Sequence, residues 1–230
     1  MRCSSIMVAL FAALVGVLGG TFVSSGQEAT PAGQAAQPIV PAPNQCTVTP
    51  RDLTFFQGIS GTPGAASPAA ASPVAATPVG APEGEEADRD VRVGVLDTVR
   101  QNLACINAGN ALARLALYTD ATVAALVAGG GGTMGDELMP VDGDLDALLA
   151  ILGAEPTQLE GDKAALLAIL DVRIQADGRV AVLVDIFDPV ATTPGPTRVL
   201  YTMVEQNGRY LIDAEASEPI TESEVGTLAA

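Results

Sequence analysis

Residues 170–186 read Leu-Asp-Val-Arg-Ile-Gln-Ala-Asp-Gly-Arg-Val-Ala-Val-Leu-Val-Asp-Ile. Every second side chain is aliphatic up to Asp177-Gly178, and the same alternation resumes at Val180. A period of two is typical of a strand with one buried face, and Asp-Gly is a preferred turn between paired strands. The stretch therefore predicts a β-hairpin.

The same alternation recurs further along the chain. Val199, Tyr201 and Met203 occupy every second position before Asn207-Gly208, a second tight-turn pair, and Tyr210 and Ile212 continue the period of two after it. Four strands joined in sequence by short connections form an antiparallel meander.

Upstream of these strands the apolar spacing changes to four and three, which predicts a helix over about 90–107. Shorter helices are predicted after Asn110, after Thr119 or Asp120, and over about 144–152, each behind a residue that commonly caps a helix. Helices followed by strands predict an α+β domain, in which N-terminal helices pack on a curved antiparallel meander.

The N-terminus has the order of a signal peptide. Arg2 precedes an apolar run over 6–18, and the small residues Val23 and Ser25 follow it. This run is shorter than the ~20 residues of a membrane-spanning helix, and an uncleaved anchor is the alternative. We predict that residues 1–25 are removed, that no stable membrane span remains, and that the protein is secreted, either extracellular or in the cell envelope.

Residues 26–87 are mostly Pro, Ala, Gly, Ser and Thr and predict a disordered linker, because they bury too little apolar surface to offset their ordering entropy. X-Pro pairs recur over 67–82 and favour an extended spacer, with an O-glycosylated stalk as the alternative. One apolar island, residues 46–60, interrupts the linker, and we expect it to dock on the folded part.

Charge marks the start of the folded domain. Of the 27 acidic residues, only Glu28 and Asp52 precede residue 80. The domain is therefore predicted to span 88–220, and 221–230 is predicted to be a flexible tail.

Removal of the leader would leave two cysteines, Cys46 and Cys105. Disulfides persist in secreted proteins, so we predict that these two pair and tether the island to the domain. The alternative is that Cys105 is a buried free thiol and Cys46 an unrelated surface residue.

Composition excludes several classes of function. The formal charge of −16 repels nucleic acid and anionic lipid, and the absence of His removes histidine bases and most zinc sites. Asp142, Asp144 and Asp146 have the opening spacing of a calcium loop, but Ala147 and Gly153 stand where such a loop needs Gly and Glu. We predict neither a metal nor a cofactor.

Three stretches of the domain resemble a known superfamily. They are Cys-Ile-Asn-Ala-Gly-Asn-Ala-Leu-Ala-Arg-Leu-Ala-Leu-Tyr-Thr-Asp (105–120), Asp-Val-Arg-Ile-Gln-Ala-Asp-Gly-Arg-Val (171–180) and Gln-Asn-Gly-Arg-Tyr-Leu-Ile-Asp (206–213). Over about 88–216 the chain is similar to the nuclear transport factor 2-like superfamily, the cone-shaped fold of ketosteroid isomerases and SnoaL-type polyketide cyclases. The resemblance implies a helix-lined cone that can hold a small apolar ligand, and by itself it implies no reaction.

Within such a cone, Tyr118 and Asp120 form the most enzyme-like pair, since a carboxylate beside apolar walls can shuttle protons. The alternative is that Asp120 caps a helix while Tyr118 packs in the core. Tyr201, Met203 and Tyr210 are candidates for lining a ligand pocket, with plain core packing as their alternative.

The leading expectation is a secreted, non-catalytic cone-fold domain that binds a small apolar molecule or self-associates as a homodimer through its sheet. Four apolar residues favour the second role, since they fall on the other face of the strands: Leu183, Phe187, Leu200 and Val204. The alternative is an isomerase- or cyclase-like enzyme that uses a pocket carboxylate and a Tyr.

Overall fold

The structure, a computed structural model, describes residues 37–60, 79–127, 145–191 and 193–221. The predicted signal peptide, most of the Pro-rich spacer and nearly all of the C-terminal tail lie outside the described residues. Within the described ranges the chain forms five α-helices, a short 3-10 helix and one sheet, which confirms the α+β class.

The strands follow one another across the sheet in chain order, and each neighbouring pair is antiparallel. Their bounds are β1 Glu85–Glu86, β2 Ala165–Ile174, β3 Val180–Asp188, β4 Gly195–Gln206 and β5 Arg209–Pro219. β2 to β5 are the predicted meander. β1 is an additional fifth strand, formed where Glu85 and Glu86 pair with the end of β2.

Both predicted tight turns are present. Gly178 has a φ of 83°, and Asn207 and Gly208 have φ values of 54° and 76°. Gly adopts this left-handed backbone region without a steric penalty, and Asn tolerates it better than most residues. These residues therefore determine where the strands turn.

The face of the sheet that we call the inner face is apolar and buried. Cross-strand pairing places its residues in rows, such as Val172 beside Val182 and Val182 beside Tyr201. β5 contains a bulge at Asp213, because Thr202 pairs with Ala214 while Met203 pairs with Ile212. The inner-face residues that are almost completely buried include Val172, Val180, Val182, Val184, Ile186, Val199, Tyr201, Met203 and Ile212.

The helices are α1 Leu53–Ser60, α2 Arg89–Asn107, α3 Ala111–Leu115, α4 Asp120–Val127 and α5 Leu145–Leu152. The Asp88 carboxylate accepts a hydrogen bond from the Val91 amide and so caps α2, and Asn110 caps α3 in the same way. The apolar residues of α2 belong to the same buried cluster as the inner face. Thr98 of α2 also donates to the Tyr210 carbonyl of β5.

The segment from 37 to 60, which includes the predicted island, contacts both the helices and the sheet. Ile39 exchanges two backbone hydrogen bonds with Leu166 of β2. Further along, Cys46 and Cys105 form the predicted disulfide, with a Cα–Cα distance of 4.8 Å. Phe56 is completely buried. Although 37–45 belongs to the predicted linker, the backbone pairing at Ile39 joins it to the edge of the sheet.

Residues 79–87 likewise belong to the predicted linker and contact the sheet. The Ala87 amide donates to the Val172 carbonyl, and the Val79 amide donates to the Glu218 carboxylate. Among the described residues, no helix is both long and apolar enough to cross a membrane.

Candidate functional site

A cavity of about 180 Å³ opens where α2 ends and α3 begins. Gly109, which has a φ of 63°, connects the two helices, and a Cβ there would lie 1.9 Å from the Thr157 carbonyl oxygen. Glycine is therefore needed for the 157–159 segment to approach and form one wall. The lining residues are Cys105, Ile106, Gly109, Asn110, Ala111, Arg114, Leu159 and Val190.

The lining is mainly apolar, with two polar side chains among these eight residues. Asn110 is already engaged, because its side-chain oxygen accepts from the Ala113 amide. Arg114 is only 8% exposed and connects the cavity to the interior. Its Nε donates to Oδ1 of Asn102 at 3.2 Å, and the Asn102 amide in turn donates to the Tyr201 hydroxyl at 3.3 Å.

Another hydrogen bond joins a second tyrosine to a carboxylate of β5. The Tyr118 hydroxyl donates to Oε2 of Glu215 at 2.8 Å. Glu215 faces the interior because it pairs with Tyr201 across the β4–β5 ladder, beyond the bulge. Tyr118 reaches it because residues 117–119 run beside β5: the Ile212 amide donates to the Leu117 carbonyl, and the Thr119 amide donates to the Ile212 carbonyl.

These five residues, Asn102, Arg114, Tyr118, Tyr201 and Glu215, form what we call the interior polar cluster. Burial and, next, the Glu215 carboxylate raise the pKa of both tyrosine hydroxyls well above their usual value. The Arg114 guanidinium acts on the same two pKa values in the opposite direction. The cluster therefore holds neutral tyrosines between one cation and one anion.

The structure does not bring Tyr118 and Asp120 together as a catalytic pair. Tyr118 is buried, whereas the Asp120 side chain is 78% exposed at the start of α4. Asp120 contacts the Arg51 guanidinium, which also donates to the Leu115 and Tyr118 carbonyls. Asp120 is therefore part of a surface ion pair, and Tyr118 contacts a different carboxylate.

The three predicted pocket residues lie in two places. Tyr201 and Met203 are buried on the inner face. Tyr210 is half-buried and lines a separate polar groove of about 330 Å³. Burial and then the carboxylates of Glu205 and Asp88 raise the pKa of the Tyr210 hydroxyl.

Sequence reasoning missed three members of the cluster: Asn102, Arg114 and Glu215. A signal existed for Asn102, because it falls within the apolar face of α2 between Val99 and Ile106. A polar residue on such a face needs a buried partner. No comparable signal marks Glu215, whose orientation depends on the bulge.

In the part of the chain that the structure describes, no group of three or more Cys, Asp or Glu side chains is arranged to hold a metal ion. The cavity lining offers apolar contact, and the interior polar cluster offers hydrogen bonding. No family model, curated protein or solved structure matches this chain.

Proposed function

We propose that this protein is a secreted, non-catalytic domain of the nuclear transport factor 2-like cone fold that binds a small apolar molecule. The observation that carries the proposal is the 180 Å³ cavity beside Cys105, whose lining is mainly apolar. Apolar cavities of about 150 Å³ accommodate benzene, so a ligand with one ring or a short chain suits this volume.

Charge compensation favours a neutral ligand. Arg114 provides the cation that lines the cavity, but the Glu215 carboxylate acts on the same tyrosines and opposes it. An incoming anion would meet little net positive charge, and it would have to lose its hydration. A neutral molecule would lose far less on leaving water.

The order of elements supports the cone fold, since helices precede an antiparallel sheet and α2 hydrogen-bonds to its inner face at Tyr201. The Cys46–Cys105 disulfide supports secretion, because such bonds persist in oxidising compartments. Binding is preferred to catalysis because neither Tyr118 nor Glu215 is among the described residues that line the cavity.

Titration calorimetry with toluene and p-cresol, and with benzoate as the anionic comparison, tests this proposal. Ala111→Leu places three extra carbons in the lining and should abolish the heat of binding. Ala125→Leu makes the same change at an exposed position of α4 and should leave binding unchanged. The proposal fails if neither neutral compound binds, or if both variants bind as the wild type does.

A second candidate function, an isomerase- or cyclase-like enzyme, is favoured by the hydrogen bond between Tyr118 and Glu215. Here Glu215 takes the role of the pocket carboxylate in place of Asp120. The test is deuterium exchange at the carbon next to the carbonyl of cyclohexanone, followed by NMR. Exchange that is faster with the protein and lost in Glu215→Gln supports catalysis, and exchange at the buffer rate counts against it.

A further inference from the structure

The face of the sheet opposite the inner face, which we call the second face, carries the residues proposed above for self-association. An ion pair lies at its centre, where the Arg198 Nε donates to Asp185 at 2.9 Å. Because directly paired residues project to the same side, Glu218, which pairs with Arg198, also lies on the second face.

Two contacts fix the ends of the segment 79–84 at opposite edges of this sheet. At one end the Val79 amide donates to Oε2 of Glu218 on β5 at 3.0 Å. At the other end Glu85 pairs with Ile174, on the far side of β2. The segment thus has to pass from the last strand to the first.

The separation between these two anchors is close to the full length of the segment, so only a direct path can join them. Four strand intervals span roughly 19 Å, and the five-residue offset along β3 between Asp185 and Val180 adds about 17 Å, so the diagonal is about 25 Å. Six residues from Val79 to Glu85 reach at most about 21 Å, and the Glu218 side chain supplies the remainder. The segment must therefore be extended and cross the second face directly.

Burial agrees with this route. Leu183 is 6% exposed and Ala181 is fully buried, and both lie on the second face along the diagonal. Val79 and Pro82 are half-buried, whereas the intervening Gly80 and Ala81 are exposed. The segment thus turns two apolar side chains toward the protein and two small residues toward solvent.

Its end near β1 is held by close backbone contact. Gly84 has a φ of 130°, and a Cβ there would lie 2.3 Å from the Ile174 carbonyl oxygen. Only glycine fits this approach. The crossing segment is therefore anchored by backbone at one end and by a single side-chain hydrogen bond at the other.

We propose that residues 79–84 are an intramolecular cover of the second face, and that docking of this segment and self-association through the face exclude each other. Release of the segment would expose Leu183 beside Leu200. These two side chains lie next to the Arg198–Asp185 ion pair, in which the two opposite charges compensate each other. A second copy offers the same patch, and a two-fold axis brings the two patches face to face. The end held by Glu218 is the one that opens, because it lacks the backbone pairing of β1.

The test compares two double variants of the full chain. Val79→Asp/Pro82→Asp places carboxylates at the docked positions, one of them beside Glu218, and should release the segment. Gly80→Asp/Ala81→Asp adds the same charge at the exposed positions and serves as the matched control. Hydrogen exchange at the residue 79 amide, which donates to Glu218 while the segment is docked, reports release, and native mass spectrometry with light scattering reports subunit number.

We expect wild type and the control to be monomers, and the released variant to form dimers with exchange of the residue 79 amide at least tenfold faster, after correction for the intrinsic rate of the new side chain. A released variant that stays monomeric overturns the proposal. Dimers of equal strength in all three proteins overturn it as well, and so does unchanged exchange in Val79→Asp/Pro82→Asp, since the segment would then not be docked through these side chains.

Discussion

Removal of the Cys46–Cys105 disulfide should lower the free energy of unfolding by about 4 kcal/mol. The bond joins residues 59 apart in sequence. In the chain-entropy treatment, closing a loop of this length lowers the entropy of the unfolded chain by about 14 cal/mol/K, which corresponds to about 4 kcal/mol at 25 °C. For a chain of this size the midpoint of thermal unfolding should fall by roughly 8–16 °C.

The full entropic effect is expected because other contacts hold the 37–60 segment in place when the bond is absent. The Arg51 amide donates to the Leu112 carbonyl, its side chain donates to two more carbonyls, and Phe56 stays in the core. The variant should therefore keep its native structure, and the loss of the bond should mainly raise the entropy of the unfolded chain. If the segment instead detached locally once the bond is absent, the free energy of unfolding of the remaining domain would fall by much less.

Urea unfolding followed by circular dichroism measures the change, in Cys46→Ala/Cys105→Ala and in the parent. Cys3→Ala is included in both proteins so that no free thiol can exchange with the disulfide. The expected result is a lower midpoint with a somewhat steeper dependence on urea concentration, because the unfolded chain exposes more surface when the bond no longer constrains it. A loss of less than about 1 kcal/mol would refute the reasoning, because it would mean that the bond does not constrain a segment of the cooperative fold.

Three further outcomes follow from the contacts of single residues. Phe56→Ala should cost about 3–5 kcal/mol in urea unfolding, and Phe55→Ala clearly less, because only Phe56 is completely buried. Arg51→Met keeps the apolar stem but leaves the Tyr118 carbonyl without the Arg51 donor, while the Leu115 carbonyl keeps the hydrogen bond from the Tyr118 amide, and it should cost about 1–3 kcal/mol by the same assay. Because the folded protein raises the pKa of Tyr118 and of Tyr201, their contribution to stability is complete below about pH 10 and is lost above it, at about 1.4 kcal/mol per pH unit for each. Urea unfolding between about pH 9 and pH 11 should show this slope, and Tyr201→Phe should remove the part of it that belongs to Tyr201, while Tyr118 and the raised pKa of Tyr210 keep contributing.

Local chemistry made much of the fold predictable. The alternation over 170–186 and the turn pairs Asp177-Gly178 and Asn207-Gly208 act within a few residues, so the sequence alone indicates the strands that they connect. The capping residues of α2 and α3 are local in the same sense.

β1 could not be predicted, because two consecutive glutamates have no strand pattern. Glu85 and Glu86 form a strand only because Gly84 allows the chain to approach the end of β2. The pairing of Ile39 with Leu166 is similar, since each residue is unremarkable in its own stretch of sequence. Contacts between distant segments decide these elements.

The interior polar cluster depends on a single extra residue. If β5 alternated without interruption from Ile212, Glu215 would project to the second face. The bulge at Asp213 shifts the alternation by one position and turns Glu215 inward beside Tyr201. Thr119 donates to the Asp213 carboxylate, so the start of α4 helps to hold the bulge.

The same stretch of chain thus performs two tasks. Residues 117–119 pair with Ile212, which positions the Tyr118 hydroxyl at Glu215, and the Thr119 hydroxyl holds the bulge that turns Glu215 toward it. Neither the tyrosine nor the carboxylate could be placed without the other segment. The half-buried Glu215 and its donor are therefore positioned together by one junction between α4 and β5, which is why the chain carries no local sequence pattern for them.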